Sequence, residues 1–290
     1  DGHYMRVLAG ASGPVVVDVV QLRADALRVT IDGNASGHGW ALALVQRKLG
    51  VDRDLAHFDL AAARLQWLRQ LARRMRGVKP PRYPPLWEAF VNTIAFQQVS
   101  LQAASAIARR LIVASGHPVE YEGVQLYAFP SVEQVLGAKA TVLRTIGFSD
   151  RKIETLRRAG EALASGTLDE AMLEEQSSVD AAATLQRIKG IGPWTAAVML
   201  IRGLGRLDVF PLRDTSVAQN LALVSGRSSL DVAAIVKALR PQQGMLYYHL
   251  LLARLESRGE VGLSCARELV RRGTRSARSS PDATPDPRRC

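Results

Sequence analysis

A chain of 290 residues with 47% hydrophobic content is long enough for one large domain or two to three modest ones, each with a packed core. Its formal net charge of +11 points toward a polyanionic partner. No apolar run of membrane-spanning length and no signal-peptide pattern is present, so no membrane partner is expected, and only two cysteines, Cys265 and Cys290, argue against a disulfide framework and for a reducing, intracellular setting.

The chain opens at Asp1 without an initiator Met, as a trimmed N-terminus would. "VVVDVV" (15–20) and "ALRVTID" (26–32) are rich in β-branched residues, and Leu27, Val29 and Ile31 alternate with Arg28, Thr30 and Asp32 as in a half-buried strand. Past Trp40 strands all but vanish. The segments 40–50 and 60–77 read as helices ending at glycine, which closes a β-rich first domain over 1–76 with helices at its end. "VKPPRYPP" (78–85) reads as a proline-stiffened linker. A mainly helical core follows over 77–270, its first helical stretch interrupted by the polar residues Gln97, Gln98 and Ser100. Further helices are expected at 131–138, 150–165, 168–187, 194–204, 214–224, 231–239 and 244–257. Residues 271–290, low in apolar side chains and rich in Arg, Ser and Pro, read as a disordered basic tail. The fold class is therefore α+β, with a small β-rich domain preceding a helical core.

Within the core, "IKGIGPWTA" (188–196) places Gly190 and Gly192 in a short hairpin between two helices, with Pro193 in the first turn of the second. Such a hairpin leaves amides at the positive end of a helix facing outward, where a phosphate oxygen would be held. Lys189 adds a charge beside it. An ordinary corner between two helices would look the same. Further on, Asp208 and Asp214 flank "VFP", and Asp214 precedes the helix "TSVAQNLALV". A helix cap explains Asp214 by itself, and a cap that holds a carboxylate ionised is compatible with catalysis.

Taken together, "LQRIKGIGPWTAAVMLIRGLGRLDVFPLRDTSV" and the upstream "IAFQQVSLQAA" closely resemble the DNA glycosylases built on a helix-hairpin-helix, a Gly/Pro-rich loop and a catalytic aspartate. Within that superfamily the chain resembles bacterial 3-methyladenine DNA glycosylase II, over about residues 80–255. The resemblance implies two helical subdomains flanking a cleft, with Asp214 as the catalytic carboxylate. It implies DNA contacts at Gln98, Lys189, Gly190, Gly192 and Thr195, with Gln98 filling the gap left by an extruded nucleotide. It also implies a monovalent cation, Na or K, on the backbone carbonyls of Gln186, Ile188 and Ile191, with no other cofactor required. Trp194, Val198 and Leu251 match the base pocket. Two of these, Val198 and Leu251, stand where the relatives are aromatic, so Phe96, Tyr247 or Tyr248 are alternative lining.

Trp194 occupies the position where bifunctional relatives carry a Schiff-base lysine, and Lys189 does not match it, so hydrolysis without strand cleavage is expected. Two cysteines cannot supply the iron–sulfur cluster of another branch. The implied activity is excision of 3-methyladenine-type or related damaged purines from double-stranded DNA. The protein would act as a monomer in a bacterial cytoplasm, at the nucleoid. A non-catalytic helix-hairpin-helix protein that recognises damaged duplex is the alternative, and a helical scaffold for an acidic protein is a third. His249 is read as packed or phosphate-facing, and "RTIGFSDRKIETLRR" as a basic helix face.

Overall fold

The computed structural model describes residues 3–261 apart from residues 24, 213 and 228, so the expected tail at 271–290 lies outside the described residues. Strands β1 (His3–Gly10), β2 (Gly13–Arg23) and β3 (Ala26–Asp32) form an antiparallel meander in which Val7 pairs with Val16 and Val17 with Ile31. The run "VVVDVV" does not alternate because β2 is covered on both faces. Val15, Val17 and Val19 pack under α1 (His38–Leu49) with Ala41 and Val45, while Val16 faces Val7 and Ala128 on the other side.

The helical body comprises α2 (Ala56–Arg64), α3 (Gln66–Arg74), α4 (Leu86–Phe96), α5 (Leu101–Ser115), and then a hairpin of β4 (Pro118–Tyr121) and β5 (Val124–Tyr127). It continues with α6 (Val132–Gly137), α7 (Ala140–Ile146), α8 (Asp150–Ala164), α9 (Glu170–Glu175), α10 (Ser178–Gln186) and α11 (Pro193–Arg202). It ends with α12 (Ser216–Ser225), α13 (Val232–Ala238) and α14 (Gly244–Ser257). The architecture is α+β as expected.

Several local expectations are corrected. The span 60–77 is two helices, because Leu65 adopts an extended backbone that lets Phe58 and Ala62 on one side, and Leu68 and Leu71 on the other, reach the same core. The span 168–187 also breaks, where the Ser177 side chain accepts the Asp180 amide and starts α10 afresh. The β4–β5 hairpin was unforeseen. Its turn needs positive φ at Glu122 (48°) and Gly123 (76°), as a two-residue hairpin loop does.

Two helical cores result. One gathers apolar side chains from α4 through α11, Leu86 to Leu204. The other gathers Phe58, Leu68 and Leu71 from α2 and α3 with Val217, Ile235, Leu246 and Leu250 from α12, α13 and α14. A boundary at residue 76 therefore does not follow the packing. Composition changes there, but the apolar faces of α2 and α3 are buried against the C-terminal helices. The segment 78–85 is likewise fastened rather than free: Arg82 Nε donates to the Gly203 carbonyl (2.9 Å) and the Tyr83 amide to that of Arg202 (2.6 Å). Arg6 forks onto the buried Glu88 and ties the sheet to α4. Among the described residues no helix is long and apolar enough to cross a membrane.

Candidate active site

The chain passes from the first core to the second through residues 204–215, and this crossing carries Asp214 to the junction between them. The Asp214 amide donates to the Pro211 carbonyl (3.0 Å), and its Oδ1 accepts the Ser216 amide (2.8 Å), which starts α12. Oδ2 accepts two further hydrogen bonds, from Trp194 Nε1 on α11 and from the Tyr247 hydroxyl on α14, both at 2.8 Å. Each core thus supplies one donor to the same oxygen. Burial alone would raise the carboxyl pKa, but the hydrogen bonds from Ser216, Tyr247 and Trp194 outweigh it and hold the group below the usual carboxylate range. Burial, and then the Asp214 charge, pushes the Tyr247 hydroxyl well up, so it stays a donor. Tyr247→Phe is expected to move the acid limb of any Asp214-dependent rate upward. It should also slow that rate about tenfold, the worth of one charged hydrogen bond. A pH–rate profile of both proteins checks this.

Beside Asp214 lies a cleft of about 810 Å³. Its lining includes Ser100, Ser149, Gly192 and Thr215, the N-cap residues of α5, α8, α11 and α12. Four helix N-termini therefore converge, each contributing a partial positive charge. Arg151 and Lys152 add two full charges, and Asp214 is the one acid in the lining. Such a cleft attracts a polyanion and keeps its single carboxylate ionised.

The hairpin forms one wall. Gly190 has φ +103°, and a Cβ there would stand 2.0 Å from Thr155 Oγ1, so both conformation and contact require glycine. Gly192 does not share that conformation. It has φ −88°, and a methyl placed on it would meet nothing within 4 Å, so its smallness leaves open space in front of α11. The amides of Gly192, Trp194 and Thr195 donate to no acceptor among the described residues. Gln97 Nε2 staples the hairpin to the end of α4 by donating to the Gly190 carbonyl (3.1 Å) and to Thr195 Oγ1 (3.0 Å).

The structure brings together Asp214, Trp194, Gln98, Gly190, Gly192 and Thr195 at this cleft, but the Thr195 side chain is 3% exposed and engaged by Gln97, leaving only its amide for a ligand. Lys189 is exposed on the hairpin and outside the cleft lining. Val198 and Leu251 follow Trp194 and Tyr247 by one turn, half-buried, and do not line the cleft, whereas Phe96 does. Gln98 is exposed with φ 55°, a strained conformation for a residue with a side chain. Gln186 and Ile191 carbonyls accept no hydrogen bond among the described residues, while that of Ile188 takes the Ile191 amide (2.9 Å). His249 is packed, not phosphate-facing. It is 2% exposed, Nδ1 meets the Met245 carbonyl at 2.8 Å, and burial lowers its pKa to about 4.

Sequence reasoning missed Tyr247 as a donor to the carboxylate and Thr155 as the occupant behind Gly190. It also missed Ser149, Arg151 and Lys152 as a cleft wall. Nothing local marks these roles, since each depends on which helices meet.

The sequence model of the HhH-GPD superfamily base excision DNA repair protein matches residues 91–238. The chain is 29% identical over 174 residues to a DNA-3-methyladenine glycosylase of Bacillus subtilis, covering 60% of this chain and 57% of that one. It is 35% identical over 134 residues to DNA-3-methyladenine glycosylase 1 of Schizosaccharomyces pombe, covering 45% and 54%. The chain therefore spans little more than half the length of these curated relatives. A 3-methyladenine DNA-glycosylase structure from Archaeoglobus fulgidus shares the fold at TM-score 0.74 and 24% identity, over 88% of each chain.

Proposed function

The chain belongs to the HhH-GPD superfamily of base excision DNA repair proteins, and we propose that within it the chain is a monofunctional DNA glycosylase for alkylated or related damaged purines. The observation that carries this reading is a lone, hydrogen-bonded carboxylate in a cleft ringed by helix N-termini and two cations. A base inside a duplex hides its glycosidic bond, so the nucleotide must be turned out, at a cost of a few kcal/mol. The strained Gln98 at the tip between α4 and α5 fills the vacated space and offers hydrogen bonds to the orphaned partner base. The hairpin amides hold a backbone phosphate.

Loss of the base builds positive charge on the sugar, and ionised Asp214 stabilises it. Trp194, anchored through its indole N–H to Asp214, presents its ring face to an electron-poor base, with Phe96 on the same cleft. A cationic alkylpurine needs little acid assistance as a leaving group, which suits a site with one carboxylate. The open carbonyls of Gln186 and Ile191, with Ile188, fit a hard monovalent cation, which would link the hairpin to DNA. With no lysine at the Trp194 position, no strand cleavage accompanies excision. The protein works as a monomer on chromosomal DNA in a bacterial cytoplasm.

The test uses duplexes with single 3-methyladenine-type, 7-methylguanine, 1,N6-ethenoadenine or hypoxanthine lesions. Strand scission appearing only after hot alkali is expected, for the alkylated purines first. Scission without alkali would overturn the monofunctional reading. Tight binding to damaged duplex with no excision of any lesion would leave a binding protein.

A further inference from the structure

Next to the cleft lies a second groove of about 740 Å³, walled by one face of α5 and the end of α7. Ser105, Arg109, Arg110, Val113, Thr145 and Ile146 line it. Neither helix carries an acid: α5 bears Arg109 and Arg110, and α7 bears Arg144, which pairs with Asp150. Arg109 is exposed and meets no carboxylate among the described residues. Arg110 is set in place. Its Nε donates to the Ile146 carbonyl (2.7 Å), and its Nη2 lies over Gly147, where a Cβ would come within 2.9 Å. Gly147 has φ +117°, a conformation that favours glycine.

The groove and the cleft are lined by different residues of the same two stretches of chain. α5 begins at Ser100 in the cleft lining, and the chain leaving α7 reaches Ser149 in that lining three residues after Ile146. Nine residues of helix separate Ser100 from Arg109, about 14 Å, the axial length of roughly four base pairs.

We propose that this groove receives the phosphodiester backbone of the duplex arm flanking the lesion, extending the DNA track about four base pairs beyond the cleft. The proposal rests on the reading of the cleft as a DNA site. Arg109 supplies a point charge to one phosphate, and the fixed Arg110 guanidinium offers its open Nη donors to the next. Ser105 and Thr145 hydroxyls lie within the same lining. An acidic peptide is the other polyanion such a surface could take, but α5 and the chain after α7, which run from the groove to the cleft, favour one ligand spanning both.

The experiment uses the full chain and lesion duplexes with about 4 or about 12 base pairs beyond the lesion, lengthened on each side in turn. Wild type should gain affinity, about fivefold or more, when one particular arm is lengthened. Arg109→Ala should lose most of that gain, and the slope of log affinity against log salt on the long-arm duplex should fall by about one. Arg109→Lys should restore both, since a phosphate needs only the charge. Excision from the short duplex should be the same in all three proteins.

Equal losses on short and long duplexes would overturn the proposal by placing Arg109 in the cleft's own binding. An unchanged long-arm affinity and slope would also overturn it and leave the groove to a protein partner. If no duplex is bound or excised by wild type, the cleft reading has failed instead, and this proposal with it.

Discussion

Asp214→Asn is expected to reduce base excision by about a thousandfold or more while leaving a folded protein that still binds damaged duplex. The substitution keeps shape and removes charge. In the native protein Oδ1 accepts from the Ser216 amide and Oδ2 from both Trp194 and Tyr247. An asparagine has one accepting end. If its amino group faces Trp194 and Tyr247, the indole N–H meets a donor. If the group is turned over, the Ser216 amide does. Either way a destabilisation of about 1–2 kcal/mol is expected from the mismatched donor. Thermal melting and single-turnover excision on the same preparation separate this modest loss from the catalytic one. Near-normal excision by the variant would remove Asp214 from the chemistry.

The sign of the pH effect follows from the same hydrogen bonds. The folded-state pKa of Asp214 is depressed below the unfolded value. Its contribution to stability is therefore fully present above the ordinary carboxylate range and is lost as pH falls through the folded value. Excision is therefore expected to be insensitive to the titration of this group at neutral pH, with an acid limb below the ordinary carboxylate pKa. The packed His249 titrates in the opposite charge sense but destabilises in the same direction. Held neutral to about pH 4, it costs stability as acid protonates the unfolded chain first.

Much of the site was legible because its parts sit close together in sequence. The hairpin, Pro193 and Asp214 fall within one stretch, and their spacing is fixed by local helix geometry. The strand β3 was legible for the same reason, through its alternation of Leu27, Val29 and Ile31. What escaped depends on packing between distant segments. Tyr247 reaches Asp214 only because α14 crosses behind the loop, and the pairing of α2 and α3 with the C-terminal helices leaves no mark at residue 76. The double coverage of β2 hid its alternation, since residues on both faces are apolar. Val198 and Leu251 were assigned to the pocket through the family resemblance. One turn of displacement from Trp194 and Tyr247 keeps them out of the cleft lining, and the aromatic that does line it, Phe96, comes from α4.

The two hairpin glycines should separate stability from affinity. Gly190→Ala is expected to destabilise the fold by about 3 kcal/mol, combining a disallowed φ with overpacking. The clash is with Thr155, whose Oγ1, Cγ2 and Cβ stand 2.0, 2.8 and 2.9 Å from the new methyl. Thr155 cannot swing aside freely, because its hydroxyl donates to the Arg151 carbonyl (2.8 Å) on a buried helix face. Adding Thr155→Ala should therefore recover the part of the loss due to the Oγ1 and Cγ2 clashes, but not the Cβ contact at 2.9 Å or the part due to φ +103°. A double-mutant cycle on melting reads that coupling directly. Gly192→Ala should behave otherwise. With φ −88° and no neighbour within 4 Å, the methyl enters empty space and melting is unchanged. That space is where a phosphate would approach the free amides of α11, so duplex affinity should fall about tenfold, or 1.4 kcal/mol. Unchanged affinity in Gly192→Ala would mean that DNA does not approach the hairpin backbone closely. A melting loss there as large as in Gly190→Ala would mean that both glycines serve the fold alone.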